Sequence, residues 1–288
     1  VTAARVAVVV PEVGEADAVD GTEVVDPLSF PVTPRGGHSG YGTGAAGRGD
    51  EVGDEVGDGP FGRAVTAFAW GAALTALLTA ANLPLVAAAL LLRPEPSLAW
   101  LVALAAVPLG PALAAALYAV REHYVAPGVP VLRAFGRGYL RNWRDAAVLW
   151  VPACLVGVVV TTVGVGGRAA GVPPLVTGLA LGTAVLLAVV TLHALALRTF
   201  YRLRSLDAVQ AAVYYLGTRR LASLGVLLLV VGAVVVAAAA SDALLVLLGG
   251  AWVWAWYRAS AATLRDAGAR FLAGTPGTDR PTATTPGT

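Results

Sequence analysis

LASLGVLLLVVGAVVVAAAA, residues Leu221 to Ala240, carries no charge and one hydroxyl; Arg219-Arg220 precede it and Ser241-Asp242 follow. A helix of roughly 20 residues crosses the roughly 30 Å of hydrocarbon in a bilayer, so this stretch reads as a membrane span. Working outward, Ala64–Leu92, Leu98–Val120, Ala147–Gly166, Pro174–Leu197 and Ala243–Leu264 read the same way, which predicts six spans. The first is long and contains Pro84, so it should tilt or kink. The last is interrupted by Arg258, whose guanidinium can snorkel to headgroups. Trp252, Trp254, Trp256 and Tyr257 precede that arginine and suit an aromatic belt at the inner interface.

Arginines fill every second gap between these stretches. Arg121, Arg133, Arg137, Arg141 and Arg144 lie in one gap, and Arg198, Arg202, Arg204, Arg219 and Arg220 in another. Arg258, Arg265 and Arg270 accompany the end of the last stretch, while the alternate gaps hold only Arg93, only Arg168, and none beside Ser241. Basic residues are retained on the cytoplasmic side during insertion, so both termini are expected in the cytoplasm.

The composition excludes an ordinary soluble domain: 57% of residues are hydrophobic, 13% are charged and the mean hydropathy is +0.72. The net charge of +2 conceals an acidic start, with eleven Asp and Glu against three Arg in residues 1–62. Residues 1–58 are expected to be a disordered acidic, Gly-rich tail, and residues 273–288 a second disordered tail, around a membrane domain at 59–272. Lysine and methionine are missing altogether, which fits the codon bias of a GC-rich bacterial genome, and Val1 suggests either an alternative start codon or a fragment of a longer chain. The single cysteine, Cys154, rules out an intrachain disulfide and a multi-cysteine metal site.

The two basic gaps each predict a short cytoplasmic helix. In Val131–Ala146, Arg133, Arg137, Arg141 and Arg144 recur at helical spacing, with Leu132, Phe135, Tyr139 and Trp143 on the roughly opposite face. That describes an amphipathic helix lying on the membrane, its aromatics down and its arginines toward anionic headgroups or a partner protein. The second helix should start at Ser205, with Asp207 in its first turn, and stop at Gly217.

Few residues suggest chemistry. His193 is the ionisable side chain deepest in a predicted span and belongs either to a substrate path or to helix packing. Gly110-Pro111 reads either as a broken-helix site with freed carbonyls or as a kink with close packing. Thr161 and Thr162 can bond within their own helix, and Gly164–Gly167 lacks the Lys-Ser/Thr of a phosphate loop. Neither a His/Glu metal cluster nor a nucleophile–base pair is evident, so no enzymatic activity and no cofactor is expected. The aromatic faces of the arginine stripes argue against a nucleic-acid partner.

Gly59-Pro60-Phe61-Gly62-Arg63, then Asn82-Leu83-Pro84, resembles the opening of the YesL-like bacterial membrane proteins. Pro108–Val120 (PLGPALAAALYAV) is similar to the family's most recognisable segment, and Phe135–Arg144 (FGRGYLRNWR) to the amphipathic segment after it. The resemblance covers about residues 59–272 and is strongest in 105–152; Arg93-Pro94-Glu95-Pro96 lengthens the spacing between Asn82 and Gly110 relative to the family pattern. It implies a six-helix protein of the bacterial cytoplasmic membrane, accessory to carbohydrate uptake and a partner of sugar ABC transporter subunits. The alternative is a small-molecule permease. A permease needs a polar cavity near the midplane, and spans of Ala, Val, Leu and Gly offer a sugar few hydroxyl partners.

Overall fold

Pro84 has no amide hydrogen for the helical ladder, and the first apolar stretch breaks at Asn82. In the computed structural model, α1 (Pro60–Ala81) ends there and α2 (Leu83–Leu91) begins. The Asn82 side chain stays buried by donating from Nδ2 to the Leu78 carbonyl at 2.8 Å. The structure describes residues 60–92, 98–126, 128–167, 170–201, 203–239 and 242–273. The expected tail at 1–58, the Arg93–Pro96 insertion and Arg168 lie outside the described residues, as does the expected tail at 273–288 apart from Ala273, which ends a helix.

Every element among the described residues is a helix. After α1 and α2 come α3 (Ala99–Ala105), α4 (Leu109–Val125), α5 (Val131–Gly166), α6 (Pro174–Phe200), α7 (Ser205–Thr218), α8 (Arg220–Ala239), α9 (Asp242–Leu247) and α10 (Gly249–Ala273). The turns into and out of α5 use Gly128 and Gly171 at φ +110° and +76°, a region that a side chain would strain.

Five segments are long and apolar enough to cross a membrane: Ala64–Ala81, Ala99–Val125, Val131–Gly164, Pro174–Phe200 and Arg220–Ala239. The expected sixth, Ala243–Leu264, is divided at Leu248 between α9 and α10, and α10 also carries Arg258, Arg265 and Asp266. Neither piece meets both conditions alone.

The amphipathic segment and the third span, expected as separate elements, form one helix. α5 runs for 36 residues, about 54 Å at 1.5 Å per residue, well beyond one hydrocarbon thickness. Pro152 inside it removes one ladder bond without ending it. Its first half therefore projects along the direction of the span and does not turn to lie on the surface.

α4 is the axis of the bundle. Gly110 through Leu117, with Ala119 and Val120, is buried among α1, α5, α6 and α10. Burial continues through Leu192–Leu197, Ala208, Ala212 and Tyr215, and on α10 through Val253, Trp256, Tyr257, Ala261, Leu264 and Ala267. The opposite half of the bundle exposes Leu90, Trp100, Leu104, Leu155, Val159, Leu179, Leu228 and Val234. Lipid tails are as apolar as leucine, so such faces can remain uncovered in a bilayer.

Candidate functional site: the α4 joint, the arginine face and a lipid-facing groove

The break between α3 and α4 falls at Ala106–Pro108, one turn before Gly110-Pro111. The Ala106 carbonyl, which accepts from the Leu109 amide at 3.1 Å, also accepts a hydrogen bond from Trp150 Nε1 at 3.0 Å. The Trp150 side chain lies directly over Gly110, where a Cβ would overlap it. Pro111 sits in the first turn of α4, where a missing amide hydrogen removes no helical bond. Gly110-Pro111 is thus a tight joint between α4 and α5, filled by an indole.

His193 is 1% exposed, and its Nδ1 lies 3.0 Å from the Val189 carbonyl of its own helix. A carbonyl accepts only from a protonated nitrogen, so the proton sits on Nδ1 and Nε2 is left as an acceptor. Among the described residues no donor reaches that Nε2. The polar contact holds the ring to α6 and does not bridge to a neighbouring helix.

Arg133, Arg137, Arg141 and Arg144 are exposed on α5, as the spacing predicts. The face expected to sink into lipid is divided. Phe135 is buried and stacks on Tyr139 with ring centroids 6.3 Å apart, while Leu132 and Trp143 are exposed. Phe135 therefore contacts protein, because α5 leans on α4: a Cβ at Gly138 would come within 2.9 Å of Tyr118. Arg144 packs over the Trp143 ring at 5.2 Å.

Arginines of the two basic gaps also clip helices together. Arg198 on α6 reaches Asp145 of α5 at 2.8 Å and bonds Ser205 at the start of α7. Arg219, between α7 and α8, meets Asp266 of α10 at 2.5 Å, and Arg137 approaches Glu122 of α4 at 3.7 Å. Partly exposed pairs of this kind contribute about 0–1 kcal/mol each, so their value is in register more than in strength.

Between α1, α4 and the α9–α10 corner lies a groove of about 1090 Å³. Phe68, Trp70 and Ala76 of α1 form one wall, and His123, Tyr124 and Trp254 close one end. Trp70 packs on His123 at 4.6 Å, and Trp254 Nε1 donates to the Tyr124 hydroxyl at 2.5 Å. The Thr75 hydroxyl donates to the Gly71 carbonyl at 3.0 Å and accepts from the Gly250 amide at 2.9 Å. Thr79 donates to the Thr75 carbonyl at 2.9 Å. The polar atoms of the wall are thus turned to one another, and the lining is effectively apolar.

Sequence reasoning did not find this groove. Hydropathy ends the second span at Val120, so His123 and Tyr124 read as loop residues, whereas α4 continues to Val125. The expected belt of Trp252, Trp254, Trp256 and Tyr257 also divides. At 100° per residue, Trp252 and Trp256 share one face and Trp254 points away. Trp256 and Tyr257 are buried, Trp252 Nε1 bonds the Leu229 carbonyl at 3.1 Å, and Trp254 is 44% exposed.

These features define an all-helical protein with the apolar helices of a multi-pass membrane protein. Residues 97–162 match the family described as "Protein of unknown function, DUF624", the family to which the YesL-like resemblance points. The matched segment holds α3, α4, the Trp150 joint, the arginine face and, from the aromatic end of the groove, His123 and Tyr124. No curated protein and no solved structure matches the chain.

Proposed function

We propose that the protein is a non-enzymatic accessory or regulatory component of carbohydrate uptake in the bacterial cytoplasmic membrane. It crosses six times, with both termini inside, and offers its arginine face to a cytoplasmic or membrane partner such as a sugar ABC transporter subunit. The observation that carries the accessory role is the filled axis: Gly110–Leu117 of α4, where a permease would keep a polar path, is an alanine-rich stretch buried throughout. The runner-up, a sugar permease, would have to use the α1–α4–α10 groove, whose threonine hydroxyls are already bonded within the protein.

Purification from the native membrane in mild detergent tests the proposal. Transporter subunits are expected to co-purify, and to do so less when Arg133, Arg137, Arg141 and Arg144 are all replaced by Lys. Lysine keeps the charge that headgroups need but lacks the guanidinium fork that grips carboxylates. Recovery without any transporter subunit, together with sugar flux in vesicles containing only this protein, would establish the permease instead.

A further inference from the structure

The groove has the construction of a site for one lipid chain. Its lining from Ala67 to Thr79 on α1 spans about 18 Å at 1.5 Å per residue, long enough for much of an acyl chain. Its volume of about 1090 Å³ is just above the roughly 300–1,000 Å³ common for ligand pockets. The wall offers a sugar or peptide little to bond, since Thr75, Thr79 and Trp254 are each engaged internally. At Gly71 a Cβ would meet nothing within 4 Å, so the groove is open along α1. α1 and α10 nonetheless nearly touch beside it: a Cβ at Gly250 would lie 2.5 Å from the Gly71 carbonyl oxygen.

The two ends differ in chemistry. Leu247 and Leu248 flank the apolar end, and both are exposed. The other end is ringed by Trp70, His123, Tyr124 and Trp254, and tryptophan and tyrosine settle at the headgroup level of a bilayer. Arg258 adds positive charge there, its guanidinium carbon 5.2 Å from the centre of the Trp254 ring.

We infer that this groove binds a single anionic phospholipid, with one acyl chain along α1 and the phosphate at the His123–Tyr124–Trp254 end beside Arg258. Which leaflet supplies the lipid rests on the six-span orientation proposed above; occupation of the groove does not. Arg258 supplies the preference for negative charge, and the apolar wall supplies the hold on the chain.

The test is native mass spectrometry of the full chain in mild detergent, with dioleoyl-phosphatidylglycerol or dioleoyl-phosphatidylcholine added. The unaltered protein is expected to retain one phosphatidylglycerol, favoured about fivefold over phosphatidylcholine by one arginine near the headgroup. Gly71→Phe combined with Ala76→Phe fills the groove and should abolish retention of both lipids, while Leu155→Phe on an unrelated lipid-facing surface should change nothing. Arg258→Gln should keep the chain but lose the preference. Gly71→Phe alone is a milder second variant if the double one fails to fold. Lipid retained equally by folded groove-filled variants, or lost equally from Leu155→Phe, would mean only annular lipid is seen and would overturn the assignment. Neither result depends on a transporter partner, so the accessory role stands or falls separately.

Discussion

Gly110 and Gly71 are both glycines in apolar helices, and only their surroundings distinguish them. A methyl group at Gly110 would run into Trp150, whereas one at Gly71 would find open space. Gly110→Ala should therefore lower the melting temperature in detergent, since overpacking a closed joint costs about 1–3 kcal/mol. Gly71→Ala should leave it unchanged or slightly raised, because alanine is the better helix former by about 1 kcal/mol. Equal melting of the two variants would mean that Trp150 can step aside and that the joint is loose. Residue-scale legibility was partial for the same reason. The sequence singles out Gly110, Pro111 and His193 by type, but Trp150 lies forty positions beyond Gly110 and reads as one more apolar residue. Its pairing with the Ala106 carbonyl depends on how two helices meet, which spacing along one helix does not encode.

At the scale of the element, the change of pattern between Arg144 and Val148 is real, but a pattern change does not break a helix. Breaking needs a proline or glycine signal, and Asp145-Ala146-Ala147 supplies none, so the amphipathic and apolar halves of α5 share one ladder. Hydropathy reads what surrounds a helix, water or lipid, and is blind to its continuity. The same limitation cut α4 short at Val120. α5 is held upright at its first half partly by Arg198, which touches Asp145 and Ser205 from a position that is itself only 11% exposed. Removing each partner alone should show the asymmetry. Asp145→Ala gives up one exposed contact and should cost about 0–1 kcal/mol. Arg198→Ala gives up contacts to two helices and its packed stem, and should cost more. Thermal unfolding in detergent measures both; if Asp145→Ala proves the more damaging, the arginine is not the shared clip between α5 and α7.

For the whole molecule, the number of crossings turns on the return of the chain after α8. Five helices satisfy the length and hydropathy of a span, and an odd number would leave the termini on opposite sides. Geometry within the bundle supports a return. Asp266 near the end of α10 pairs with Arg219 at the foot of α8, and the Tyr201 hydroxyl donates to the Leu264 carbonyl at 2.6 Å beside the end of α6. α8 leads away from that end to Ala239, so α9 and α10 together bring the chain back to it. The arginine pattern along the chain points the same way, because charge retention acts on whole loops and tolerates a broken helix. What that pattern does not convey is that Arg258 and Asp266 lie within one helix that runs on past the apolar belt. In a Cys154→Ser background, single cysteines at Ala169 and Asp242 are expected to react with an impermeant thiol reagent in intact cells, and one at Ala126 to stay silent. A cysteine at Gly274, just beyond α10, decides the count. Six crossings keep it silent until the cells are opened, whereas labelling of Gly274→Cys from outside would leave α9 and α10 on the outer side and reduce the spans to five.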